Sequence, residues 1–282
     1  MEWIRKPAGE HLEEMTKHGV TYLSFPALSK TGLVSHAFST RLGGVSQGCF
    51  ATMNFTFTRG DNPEHVMENY RRMARVLGEE TERMVLSHQT HTTHVRTVTE
   101  EDAGKGVVRE RDYHDVDGLI TNVPGLVLVT FYADCVPLYV VDPVHKAIGL
   151  SHSGWRGTVN RMGRETLKQM NQEYGTDPAD VICCIGPSIC QSCFEVGKEV
   201  ADAFGGAFDQ MYHSQLFYKK ENGKYQLDLW RANQIIFEEA GVPAAQIHTT
   251  DICTHCNPDL LFSHRTMGNE RGNLAAFLCL KA

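Results

Sequence analysis

The chain has 282 residues, 41% hydrophobic and 22% charged, a composition that fits a globular protein with a packed core and excludes a disordered, collagen-like or coiled-coil chain. Its 27 basic and 34 acidic side chains leave a net charge of -7, so it lacks the broad positive field that draws proteins to nucleic-acid backbones. Residues 1–14 are charged without an apolar signal region, and no apolar stretch approaches the roughly 20 residues that span a bilayer; the expectation is a cytoplasmic protein with no membrane partner.

In chain order, strand-like runs alternate with helical ones, with no repeat and no linker, which predicts one α/β domain over residues 1–282. Residues 20–24 and 33–39 read as strands, followed by the turn Leu42-Gly43-Gly44-Val45-Ser46. A helix then starts at the cap Asn62 with Pro63 in its first turn; Val66, Tyr70, Met73 and Leu77 share one face before Gly78 ends it. Residues 84–87 and 95–99 read as strands. Residues 100–114 are polar, heavily charged and hold two glycines, and read as a mobile surface loop. The middle third is the most apolar, and its runs at 126–132, 138–141 and 147–150 are expected as central strands. A helix over 155–174 follows, with Val159, Met162 and Met170 inward and Gly175 as its C-cap. Beyond it, 181–185 and 246–252 read as strands and 196–204 and 230–240 as helices. Residues 217–229 form a hairpin turning at Asn222-Gly223, and 274–280 a closing strand.

Chemistry gathers at the junctions. The strand 126–132 runs into Ala133-Asp134-Cys135-Val136-Pro137, and two strands later Ser151-His152-Ser153-Gly154-Trp155-Arg156-Gly157 opens a helix. If 138–141 and 147–150 form a hairpin around Asp142-Pro143, antiparallel pairing centred near residue 144 sets Cys135 roughly opposite His152. A thiolate and an imidazole then meet at one sheet end. The segment Ser87-His88-Gln89-Thr90-His91-Thr92-Thr93-His94 lies between two further strands. One cysteine and two histidines make a three-ligand zinc site whose fourth position stays open, as a catalytic zinc needs. His88, His91 and His94 cannot all point one way from an extended segment, and their spacing does not choose among them.

The turn from Gly154 to Gly157 precedes a helix, so its backbone N–H groups and Arg156 are candidates for an anion such as phosphate. Arg41, beside Gly43-Gly44, and Arg265, in Ser263-His264-Arg265, are the other cationic candidates. Nine cysteines, with Cys183 and Cys184 adjacent, do not suit a secreted disulfide framework. The pairs Cys190/Cys193 and Cys253/Cys256 read as free thiols ahead of a second metal site, because Cys190-Gln191-Ser192-Cys193 lacks the strand-to-helix setting of a redox pair.

Taken together, these motifs resemble the YfiH-type family, long labelled multicopper polyphenol oxidase or laccase-domain proteins. The resemblance rests on His36-Ala37-Phe38-Ser39-Thr40-Arg41 with Gly43-Gly44-Val45-Ser46, Gln89-Thr90-His91, Ala133-Asp134-Cys135-Val136-Pro137 and His152-Ser153-Gly154-Trp155-Arg156-Gly157. Gly186-Pro187-Ser188-Ile189, Phe194-Glu195-Val196-Gly197 and Phe262-Ser263-His264-Arg265 extend it almost end to end. It implies a layered α/β sandwich with mixed β-sheets and a zinc ion held by His91, Cys135 and His152. The implied activity is phosphorolysis of purine nucleosides (adenosine, inosine and methylthioadenosine), with adenosine deamination alongside. On that reading Arg41, Arg156 or Arg265 positions the phosphate and Asp134 assists proton transfer.

Three other functions stand against this one. A multicopper oxidase needs many histidines in closely paired motifs, and this chain has no His-x-His, which rejects it on ligand count. A metal-free thiol hydrolase would use Cys135 as nucleophile and His152 as base. A non-catalytic zinc protein has no use for an open three-ligand site.

Overall fold

The computed structural model describes residues 2–7 and 9–281; Met1, Ala8 and Ala282 of the expected 1–282 unit lie outside the described residues. The chain begins with β1 (Glu13–Lys17), β2 (Val20–Ser24), α1 (Pro26–Lys30), β3 (Val34–Ser39) and α2 (Pro63–Leu77). Next come β4 (Met84–Leu86), β5 (Val95–Thr97), β6 (Gly118–Thr121), β7 (Val127–Tyr132), β8 (Val136–Asp142) and β9 (Ala147–Ser153). They are followed by α3 (Trp155–Val159), α4 (Met162–Tyr174), β10 (Ile182–Ile185), β11 (Glu195–Val196), α5 (Lys198–Ala207) and α6 (His213–Leu216). The last elements are β12 (Phe217–Lys219), β13 (Tyr225–Leu227), α7 (Leu229–Glu239), β14 (Ile247–Thr249), α8 (His264–Met267) and β15 (Leu274–Leu280).

Two six-stranded mixed sheets stack on one another, in the orders β1-β2-β3-β15-β7-β4 and β14-β10-β8-β9-β6-β5, with a small third sheet, β11-β13-β12, at the side. Side-chain alternation decides the layers. Along β15, Leu274, Ala276 and Leu278 face the space between the sheets, where they share a core with Tyr139, Ile148 and Leu150. Ala275, Phe277 and Cys279 turn the other way and pack beneath α2. On β8, Val136, Leu138 and Val140 face α4 and α7. Strands apolar on both faces are therefore covered on both, which is the layered sandwich with mixed sheets that was expected.

The order of cause is visible in α2. The Asn62 side chain accepts the Glu64 N–H and Pro63 fills the first turn, while Gly78 takes the left-handed conformation that ends the helix. Val66, Tyr70, Met73 and Leu77 are buried, as their spacing predicts.

The structure differs from the sequence reading in several places. The helix expected over 155–174 is two helices. Arg161 sits at φ 64° between them, its guanidinium donating to the Ala207 carbonyl, pairing with Glu239 and lying over the Phe208 ring. These tertiary contacts outweigh the local preference for a continuous helix. Residues 100–114, expected as a mobile loop, are anchored. Asp102 is buried between Arg96 and Lys105, and the Tyr113 hydroxyl donates to the Leu86 carbonyl. In the β8–β9 hairpin Pro137, not Cys135, is directly opposite His152.

His36 on β3 predicts an acid sensitivity. It is 7% exposed, and its Nε2 accepts the Phe25 N–H at 2.9 Å, which suits a neutral ring. Burial, aided by the nearby Lys281 ammonium, lowers its pKa to about 4. The unfolded chain takes up this proton near pH 6.5, so stability present above 6.5 is lost as pH falls towards 4, by about 3 kcal/mol. Urea melts of His36→Gln should lose part of the slope of stability against pH in that window; equal slopes would clear His36 as the source.

Candidate metal centre and its cleft

Three loops and strand ends bring His91, Cys135 and His152 together, with all their ligand atoms within 4.8 Å of one another. Cys135 ends the β7–β8 turn, where Asp134 has φ 88°, and His152 lies near the end of β9. Register sets Cys135 level with Gly154, one step beyond the ladder. Gly154 leaves the necessary room, since a Cβ there would stand 3.0 Å from both the Cys135 Sγ and the His91 ring.

His91 comes from the loop between β4 and β5, and that loop is wrapped around a buried carboxylate. The N–H groups of Thr90, His91 and Thr92 donate to Asp117 at 3.0, 3.1 and 3.0 Å. The same carboxylate accepts Nδ1 of His152 at 2.8 Å. One side chain thus positions both the His91 loop and the His152 ring, and it leaves Nε2 of His152 free to face the thiol. A carboxylate behind a ligating histidine fixes the tautomer and makes the free nitrogen a better donor. Gln89 completes the support by exchanging two hydrogen bonds with the backbone of Phe131.

The electrostatics match this arrangement. Burial alone would push the Cys135 thiol up, but the imidazoles of His152 and His91 outweigh it and bring the pKa down to about 6. Burial opposes the charge on His152 as well, yet the Cys135 thiolate and Asp117 hold its pKa up at about 9. A depressed thiol and oriented imidazoles are a soft N/S donor set. Three such donors suit zinc, and the exposed side of His91 leaves the centre open.

Of the three neighbouring histidines only His91 joins the cluster. His88 Nδ1 accepts the Asp115 N–H, and His94 bonds the Asp115 carbonyl. Asp134 is next to Cys135, but its oxygens are taken by the Thr254 hydroxyl at 2.6 Å and the Arg265 N–H at 2.7 Å. It fixes the turn instead of facing a proton acceptor.

The arginines named from sequence are corrected too. Arg41 clamps the carbonyls of Ala51 and Pro258 and stacks over Phe262. Arg156 is exposed and lies over Trp155, and Arg265 holds the carbonyls of Cys193 and Glu195. None of them lines the cleft of about 1130 Å³ into which the cluster opens; Arg59, Arg109, Arg111 and Arg271 do. Arg271 is 6% exposed and its Nε has no hydrogen-bond partner among the described residues. Its pKa falls to about 10, through burial first and then the like charge of Arg59. Two guanidiniums that line one cleft and oppose each other's charge, with neither in an ion pair among the described residues, mark a place that favours an anion. Sequence reasoning missed these two and Asp117. The only signal for Asp117 is an acidic residue directly before an apolar run.

The multi-copper polyphenol oxidoreductase laccase family matches residues 35–281. A purine nucleoside phosphorylase of Bacteroides thetaiotaomicron is 39% identical over 89% of this chain and 93% of its own. An adenosine deaminase, RL5, from an unknown prokaryotic organism is 34% identical over 84% of this chain and 90% of its own. The crystal structure of YlmD from Geobacillus stearothermophilus superposes with a TM-score of 0.87 at 32% identity, covering 95% of this chain and 98% of that one. Despite the family's copper label, the two metal-capable clusters among the described residues contain only the histidines His91 and His152. With this match in sequence and in structure, the chain belongs to the multi-copper polyphenol oxidoreductase laccase family, the YfiH-type proteins.

Proposed function

We propose that the protein is a zinc enzyme of purine nucleosides, splitting adenosine, inosine and methylthioadenosine with phosphate and also deaminating adenosine. The observation that carries this reading is the open two-histidine, one-cysteine centre at a cleft that also holds Arg59 and Arg271, neither in an ion pair among the described residues. The names of the relatives supply the two reactions. Zinc bound there would supply a Lewis acid. Asp117 keeps His152 in one tautomer, and the aromatic walls of Phe131 and Tyr132 offer apolar surface to a base. Arg59 and Arg271 hold phosphate so that one of its oxygens can form the new bond to the anomeric carbon as the bond from that carbon to the purine breaks.

Incubating the purified protein with adenosine tests both reactions. Free adenine that appears only with phosphate reports phosphorolysis; inosine formed without phosphate reports deamination. Neither product, at full zinc content, sinks the proposal. Arg59→Ala should lower the phosphorolytic kcat/KM for phosphate by about 10- to 100-fold, the worth of a hydrogen bond to a charged group, and leave deamination less affected. Equal losses would place Arg59 on the nucleoside.

A second reading has an observation of its own. Cys135, His152 and Asp117 stand in line as nucleophile, base and orienting carboxylate, the arrangement of a metal-free thiol hydrolase. His91 has no task in that array. A chelated protein, or His91→Ala, that keeps its turnover would favour the thiol enzyme.

A further inference from the structure

The nine cysteines are all free thiols, and four of them meet away from the cleft. Cys190 and Cys193 flank a single turn after β10, Cys253 and Cys256 flank another after β14, and their sulfurs all lie within 4.8 Å of one another. Cys193 Sγ and Cys256 Sγ are 3.5 Å apart, well beyond a disulfide bond. Four sulfurs at 2.3 Å from one tetrahedral zinc would be about 3.8 Å apart, so the cluster needs only a small adjustment to hold one. The Cys190 N–H donates to the Cys253 sulfur at 3.3 Å, and the Lys6 ammonium lies beside Cys190 and Cys256. One cysteine of each pair is buried and the other half-buried, so the site is closed towards the core and reachable from outside.

We propose that these four cysteines bind a structural zinc ion, distinct from the centre in the cleft. The elements it would join have little regular structure of their own. Ser188 bridges Cys253 outside the main sheets, Asn257 holds the backbone of Ile4, and Arg265 holds the Cys193 carbonyl. Thr254, between the two later cysteines, carries the hydrogen bond to Asp134. A tetrahedral metal at this point fixes the 253–267 segment, including His264 on the cleft rim. With four protein ligands it has no open position, so its role is to hold the fold and not to react.

The test is metal content per chain after purification without chelator. Two zinc ions are expected in the native protein, one in Cys135→Ala, one in Cys193→Ser and none in the double variant. Cobalt loaded into Cys135→Ala should give the strong sulfur-to-metal absorption of four thiolates, and zinc should raise the Tm of that variant. Should Cys193→Ser fail to fold, Cys135→Ala alone decides. One zinc per chain that disappears in Cys135→Ala overturns the site, as does a native mass below that of the reduced protein, which would mean disulfides. If the cleft centre proves metal-free, zinc retained in Cys135→Ala still supports the second site.

Discussion

Asp117→Ala is expected to weaken metal binding at the cleft by more than about tenfold and to destabilise the fold by about 3 kcal/mol. The carboxylate accepts three consecutive N–H groups and the Nδ1 of His152. Each buried donor left without an acceptor costs about 1–3 kcal/mol. Thr90 and His91 are exposed, so water can replace part of what is lost, and the total stays well below the sum. The metal effect is less forgiving, since His152 loses its tautomer and the loop carrying His91 loses its centre. Asp117→Asn keeps the volume but turns an amide donor towards groups that are themselves donors, and should lose metal almost as badly. Zinc competition against a chromophoric chelator, with urea melts in parallel, measures the two effects separately. Unchanged affinity in both variants would reduce Asp117 to a loop anchor.

Cys135→Ala carries the largest expected loss of activity. The thiol is the soft donor of the three, and its pKa of about 6 leaves it mostly thiolate at neutral pH. Removing it should release the cleft metal and lower nucleoside turnover by about a thousandfold, given the several kcal/mol that metal catalysis supplies. His91→Ala separates the explanations: a zinc enzyme loses metal and turnover together, whereas a thiol enzyme keeps its turnover in His91→Ala and loses it in Cys135→Ala. Cys135→Ala retaining cleft zinc at neutral pH would show that the sulfur is not a ligand.

What the sequence revealed and what it hid follow from the physics of each element. β15 was readable because all seven of its residues are buried, and α2 because its cap, period and terminal glycine agree. β1 was not, because its five residues are all exposed and carry no alternation. The break at Arg161 depends on Ala207, Phe208 and Glu239, far off in sequence, so no local signal could place it. At the centre, hairpin pairing brought Cys135 and His152 to one sheet end despite the register slip, while the choice of His91 came from the family resemblance alone. The arginines went astray for a plain reason. Glycines beside Arg41 and Arg156 suggested an anion loop, yet those glycines serve close packing, with Gly44 against Thr52 and Gly154 against Cys135 and His91. Arg59 and Arg271 also precede glycines, Gly60 and Gly272, but each of these is a lone glycine and not part of a strand-to-helix turn or a Gly-Gly pair, so neither stands out.

β15 also sets an order of assembly. It lies between β3 and β7, strands from the start and middle of the chain, so during vectorial synthesis the first sheet exists as two separate ribbons until residues 274–280 leave the ribosome. Each ribbon then has an unpaired inner edge, the exposed kind of edge that invites mispairing, and pairing across such a separation is slow. The three residues of the cleft cluster, His91, Cys135 and His152, by contrast, lie on a hairpin and the loops next to it in the first half or so of the chain. They can gather on the nascent chain well before Arg271 and the final strand close the cleft around them.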